Sequence, residues 1–151
     1  MSIEYQFVVS TGRSAPHLLE VVHQRFDFPW SQDHTFLSGV GVQVNATACG
    51  QFYGEMLEDG FGLHFDVGFR FRLAKDPDER QLGFQAMLQV VVGLLGHEPG
   101  QAILLFNDET VLLQRSEGEL VLNSDWQGWQ KSALEIFRVP YQMQSLPSPL
   151  T

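Results

Sequence analysis

The chain has 151 residues, 44% of them hydrophobic, with nine basic residues against eighteen acidic ones and a formal net charge of −9. A chain of this length buries about 70% of its unfolded surface as one domain, so it needs no metal or disulfide staple; the lone Cys49 excludes an internal disulfide framework and a cysteine-based zinc cluster. The acidic balance argues against nucleic acid and anionic membranes, which call for basic patches, and favours a basic partner.

Ile3, Tyr5, Phe7 and Val9 alternate with Glu4, Gln6 and Ser10, which predicts a first strand. The same segment has polar residues where a signal peptide has its apolar core, so a cytoplasmic protein is expected. Ser14 is a helix cap with Pro16 in the first turn, and Leu18, Leu19, Val22 and Phe26 follow at helical spacing, ending before Pro29. Residues 28–35 read as a loop. Val40, Val42, Val44, Ala46 and Ala48 alternate as a second strand. Residues 52–57 read as a third strand, and Glu58-Asp59-Gly60 as the hairpin turn after it.

Residues 61–73 alternate without a fault. Phe61, Leu63, Phe65, Val67, Phe69, Phe71 and Leu73 are apolar, and Gly62, His64, Asp66, Gly68, Arg70 and Arg72 lie between them. One apolar and one polar face belong to an antiparallel sheet with one side on a core. The run exceeds the usual strand length, so a bend or bulge is expected at Gly68.

Asp76, Pro77 and Glu79 form a capping-box start to a helix with the stripe Phe84, Met87, Leu88, Val91, Leu94 and Leu95, and with Gly96 just past its end. Gln89 interrupts the stretch around it, which is too short to span a bilayer. Residues 103–106, 111–115 and 120–122 read as a meander with turns at Asn107-Asp108-Glu109 and Glu117-Gly118. Ser124 or Asp125 caps a short helix holding Trp126, Trp129 and Leu134. Strands and helices come in runs, which predicts one α+β domain over residues 1–144: a mainly antiparallel sheet in two layers with two main helices, its other face partly open. The tail, residues 145–151, is expected to fray.

Chemistry-bearing residues are sparse. His17 and His23 do not share a helix face well. His64 and Asp66 do share a strand face but are too few for a structural zinc site. Cys49 and His64 have no orienting third group visible, and no Gly-x-Ser-x-Gly elbow exists. Gly39-Val40-Gly41 lies inside a strand pattern, where glycine marks close backbone approach more often than a phosphate loop. No metal, no organic cofactor and no catalytic residue is therefore assigned. The stripe His64, Asp66, Arg70 and Arg72 is either a solvated face with cross-strand ion pairs or the wall of a small-molecule or enzyme site. Trp126 and Trp129 are either interface anchors or the end of the core.

Several segments carry a family resemblance. They are Ile3-Glu4-Tyr5, Val67-Gly68-Phe69-Arg70-Phe71, Met87-Leu88, Leu104 through Glu109, Val111-Leu112-Leu113 with Arg115, Gly118, and Leu120-Val121-Leu122-Asn123. In order and spacing they resemble the SitI immunity family of myxobacterial swarming-inhibition toxin systems. Asp108 stands where a glycine is expected in its turn. The resemblance implies a bacterial antitoxin of the cytoplasm, used in kin discrimination, that binds a cognate toxin and has no catalytic residues. An acidic inhibitor suits a basic toxin. The carboxylates expected to meet it are Glu55, Glu58, Asp59, Asp108 and Glu109, which fall at predicted strand ends where the core does not need them.

Overall fold

The computed structural model describes residues 3–146. In chain order the elements are β1 (Ile3–Val9), α1 (Ala15–Phe26), β2 (Leu37–Gly39), β3 (Val42–Ala48), α2 (Gln51–Phe61), β4 (Val67–Leu73), α3 (Pro77–His97), β5 (Ala102–Phe106), β6 (Thr110–Ser116), β7 (Glu119–Asn123), α4 (Lys131–Leu134) and β8 (Gln142–Gln144). The strands form one eight-stranded sheet in the order β2-β3-β4-β1-β5-β6-β7-β8. Every neighbouring pair is antiparallel except β7 and β8, which run parallel. This is the α+β domain that the segregated runs of strand and helix predict.

The alternation decides what each face does. Tyr5, Phe7 and Val9 of β1, Phe69 and Phe71 of β4, and Val42 and Val44 of β3 join one buried cluster with Leu18, Leu19 and Val22 of α1 and Met87, Leu88, Val91 and Leu94 of α3. Both helices start where their caps place them. The Ser14 side chain accepts from the His17 N–H, and the Asp76 side chain accepts from the Glu79 N–H. Two glycines set how closely the β2–β3 turn meets α3. A Cβ on Gly83 would run into the Gly41 carbonyl, and one on Gly41 into the Glu79 carbonyl.

The other face is covered in part. Val8, Ile103, Leu105 and Val111 point there and pack with Leu57 of α2 and with Phe65 in a second cluster. Residues 52–57 thus lie in a helix and not in a strand, and Glu58-Asp59-Gly60 lies inside the same helix and not in a turn. Residues 51–61 contain no β-branched residue, and Gly62, at φ 68°, supplies the left-handed cap that ends the helix. The predicted long strand is accordingly only Val67–Leu73. Phe61, Leu63 and Phe65 continue its alternation but pack on the opposite side of the sheet, because the chain turns over before Val67. Gly68 pairs in register with Val8 and Thr47, so no bulge falls there; a register shift falls between Leu104 and Leu105 of β5.

Three further elements depart from expectation. Val40 belongs to the β2–β3 turn and is exposed. The last helix is the four-residue α4, capped at Gln130, and both tryptophans precede it. Asn123 explains why. Its Oδ1 accepts from the Asp125 N–H at 2.9 Å and the Leu146 N–H at 3.0 Å, and its Nδ2 donates to the Val111 carbonyl at 2.6 Å. The chain is thereby held in a turn where a helix was expected. Ser145 also donates to Asp125; the rest of the expected frayed tail lies outside the described residues.

Helix α3 runs one residue past Gly96 to His97, with Glu98 as its cap. Arg115 takes up the orphan carbonyls at this end, donating to Leu95 O at 2.6 Å, to Gly100 O at 2.9 Å and to Glu98 O. The Glu98 carboxylate is itself 5% exposed and accepts from Thr11 Oγ1, from Arg13 Nε at 3.0 Å and from His97 Nδ1 at 2.6 Å. It joins the β1–α1 loop to the end of α3. Burial alone would raise its pKa, but the Thr11 and His97 hydrogen bonds and the charge of Arg13 outweigh it and hold the carboxyl below its ordinary value of 4.5.

Two predictions follow from these contacts. Gly83→Ala should cost about 1–3 kcal/mol through overpacking against Gly41, despite alanine's helix propensity. Gly96→Ala, in open space on the same helix, should stabilise by about 0.5–1 kcal/mol. Denaturant melts of the two variants should move in opposite directions, and a stabilised Gly83→Ala would mean the turn does not press on α3. Glu98→Ala should cost about 2–3 kcal/mol at neutral pH. The carboxylate's contribution is full above the unfolded value of 4.5 and is lost as pH falls through the lower folded value. Melting curves of wild type and variant should therefore converge on acidification.

Candidate functional site

The half of the second face that α2 leaves uncovered is a polar shelf. Register places Gln43 of β3, Arg72 of β4 and Glu4 of β1 in one row across the sheet. Asn45, Arg70 and Gln6 make the next row, and Thr47, Gly68 and Val8 the third. These are the residues that alternate with the core positions, so the fold that buries Phe69 and Phe71 necessarily presents Arg70 and Arg72 here.

Glu4 serves both arginines. Its Oε2 lies 2.5 Å from Arg70 Nη1 and its Oε1 lies 3.2 Å from Arg72 Nη2. Burial pushes the Glu4 carboxyl upward, but the hydrogen bonds and charges of Arg70 and then Arg72 outweigh that and leave its pKa below the ordinary value. Two cations thus divide one anion. Two cavities flank Arg70. One, of about 250 Å³, lies beside the start of α2 and is walled by Gln6, Thr47, Cys49, Gly50 and Gly68. The other, of about 230 Å³, lies toward the loop before β2 and is walled by Thr35, Phe36, Gln43, Asn45 and Arg72.

Gln6 is the least ordinary residue of the shelf. Only 3% of it is exposed. Its Oε1 accepts from the Asp108 N–H at 2.8 Å, and its Nε2 has no hydrogen-bond partner among the described residues. Alternation alone reads Gln6 as a surface residue. In the structure the β5–β6 turn reaches it through the Asp108 N–H.

The stripe predicted from residues 61–73 does not survive whole. Arg70 and Arg72 remain on the sheet, but His64 and Asp66 lie in the segment before β4. The Asp66 carboxylate accepts from the Thr11 N–H at 2.8 Å. His64 is well exposed, with its Nδ1 3.9 Å from Glu58. The Cys49 thiol is pushed up to about 11, by burial first and then by the Asp66 charge, and so stays protonated. A nucleophilic Cys49 would need the opposite shift. His23 turns its Nδ1 to the Phe28 carbonyl at 2.7 Å.

The five carboxylates expected at a partner surface fall into two groups. Glu55, Glu58 and Asp59 are exposed on α2. Asp108 and Glu109 lie in the β5–β6 turn, where Asn107 and Asp108 adopt φ of 51° and 61°. Those are the left-handed values that a tight hairpin turn requires, and asparagine and aspartate tolerate them without the expected glycine. The Trp126 ring meets Tyr5 edge-on at 6.4 Å and Phe106 at a tilt at 5.6 Å, and Trp129 meets Phe137 edge-on at 5.7 Å. Both close the end of the core beside α4.

No helix of the described residues is long and apolar enough to cross a membrane. No curated protein and no solved structure matches the chain. The model of the SitI3-like family matches residues 3–133. That stretch spans β1 to β7 and holds α2 with its acidic face, the whole polar shelf and the buried clusters apart from Phe137. The chain belongs to the SitI3-like family.

Proposed function

We propose that this chain is a bacterial immunity protein that binds a cognate toxin in the cytoplasm and neutralises it by occupancy, without catalysis. Family membership over residues 3–133 carries the reading. The physical character of the molecule supports it. The domain is acidic overall, with a net charge of −9. Glu55, Glu58 and Asp59 stand exposed on α2, and Asp108 and Glu109 lie in the β5–β6 turn. Leu57 of α2 packs on Ile103 and Leu105, and the Asp108 N–H reaches Gln6. A basic toxin would be drawn to these groups, because complementary charge speeds encounter and selects the partner. Rigid secondary structure beneath each group keeps the carboxylates in place without making them part of the core.

The test begins with co-expression. The chain should restore growth to cells producing the toxin encoded beside it. The association rate of the purified pair should fall steeply with salt, because exposed charges are screened beyond ~8–10 Å at physiological ionic strength. Reversing Glu58 and Asp59 together to lysine should slow association roughly tenfold or more while leaving the melting temperature nearly unchanged. A second double reversal, at Asp108 and Glu109, should act in the same direction. Unaltered toxin binding by both reversed proteins would show that the acidic groups are not the contact surface.

A further inference from the structure

Between the first turns of α3 and the segment that leads into α4 lies a cavity of about 310 Å³. Its aromatic walls are Tyr5, Phe84 and Trp126, with the Tyr5 ring centre 5.6 Å from that of Phe84 and 6.4 Å from that of Trp126. Arg80 and Ser132 belong to its polar wall. Among the described residues no carboxylate side chain lines it, in a chain with eighteen acidic residues and a net charge of −9.

Two polar groups of this wall have no partner among the described residues. Arg13, Arg70 and Arg72 are in ion pairs, and Arg115 is engaged by backbone carbonyls. Arg80 makes neither kind of contact. Its charge reaches the Tyr5 phenol, so the guanidinium stands on the cavity side of α3. The Tyr5 hydroxyl is the second group. The described polar atoms that are both unpaired and shut from solvent are Gln6 Nε2 and Trp126 Nε1. The Tyr5 Oη, also unpaired, is not one of them, so the 6% of Tyr5 that stays exposed includes its hydroxyl. Burial pushes the phenol up to about 12, against a smaller opposing effect of Arg80, so at neutral pH it is protonated and can donate. Trp126 Nε1 is closed off against Gly128, and Trp126 therefore contributes a ring and no donor.

We propose that this cavity binds a free aromatic carboxylate of one or two rings, its ring against Phe84 and Trp126 and its carboxylate on Arg80 and the Tyr5 hydroxyl. Aromatic walls favour a flat apolar body through edge and offset-stacked contacts. An arginine fork holds a carboxylate with two parallel hydrogen bonds. The volume is at the lower end of the roughly 300–1,000 Å³ of small-molecule sites. A neutral ring would leave Arg80 without a counter-charge, and a short acid would leave the aromatic walls uncovered. No amino-acid side chain joins a ring to a carboxylate, so a free acid meets this wall better than a side chain offered by a protein partner. Tyr5 faces the side of the sheet that α3 covers, opposite α2. The site thus stands apart from the acidic groups of α2 and does not require the toxin reading.

Benzoate is the probe. Titrated into isotope-labelled protein at constant ionic strength, it should produce saturable shifts of the Trp126 indole N–H and of the Arg80 and Ser132 backbone amides. The indole of Trp30, which packs with His23 and His34, should not move. Benzamide and acetate should each bind roughly tenfold or more weakly than benzoate, the scale of one lost hydrogen bond to a charged group. Arg80→Gln removes the charge and should weaken benzoate by the same factor while leaving benzamide unchanged. Tyr5→Phe keeps the ring, removes the hydroxyl and should also weaken benzoate. Arg80 has no partner in the fold, so its replacement keeps the test decisive should Tyr5→Phe disturb the core. No saturable shift at Trp126, equal affinity for benzamide, or full benzoate affinity in Arg80→Gln overturns the proposal. The titration contains no toxin, so its failure would leave the immunity reading untouched.

Discussion

The antiparallel pairing of β1 with β4 is the constraint on which the remainder of the molecule rests. Seven residue pairs, from Ile3 with Leu73 to Val9 with Val67, set the register of both strands at once. β3 and β5 then attach to their outer edges. A one-residue slip would carry Phe69 and Phe71 to the shelf and Arg70 and Arg72 into the core, so register here is specified by the cost of burying two guanidinium groups. The helices follow from it. The apolar stripes of α1 and α3 have a matching surface only because Tyr5, Phe7, Phe69 and Phe71 share a face.

That same register produces the shelf as a by-product of the core. Each residue placed between two buried ones must emerge on the second face, and on β3, β4 and β1 those residues are polar apart from Gly68 and Val8. On β5 they are not. Ile103 and Leu105 point to the second face as well, and they require a cover. Helix α2 supplies it by laying Leu57 over them, with Phe65 closing the edge. The division of the second face into a covered apolar half and an open polar half thus follows from a change in residue type between neighbouring strands. The cavity beside Gln6 lies at the boundary, where the helix starts.

The ends of α3 show how a small number of polar groups tie distant parts of this domain. Asp76 caps one end locally. The other end is held from far along the chain, by Arg115 on its carbonyls and by Thr11 and Arg13 on the Glu98 side chain. Asn123 does similar work for the C-terminal segment, satisfying groups on β6, on the turn after β7 and at Leu146. Satisfied networks of this kind fix one arrangement of loops, because leaving any buried member unpaired is costly.

Much of the fold was legible in the residues themselves. Alternation in β1, β3 and β4, the Ser14 and Asp76 caps, and the stripe of α3 each depend on neighbours within a few positions, so local pattern determined them. So did the composition that makes the domain acidic. The α2 helix was misread because a short apolar run followed by Asp-Gly fits a hairpin as well as a helix, and only packing of Leu57 on Ile103 and Leu105 chooses between them. The site was legible in part. Arg70 and Arg72 stood out by their alternation, while His64 and Asp66 were joined to them only by a strand that ends at Val67. Gln6 could not be singled out at all: a polar residue in an alternating strand looks exposed. Its engaged oxygen depends on a turn about a hundred residues away, and that separation is why tertiary structure alone decided it.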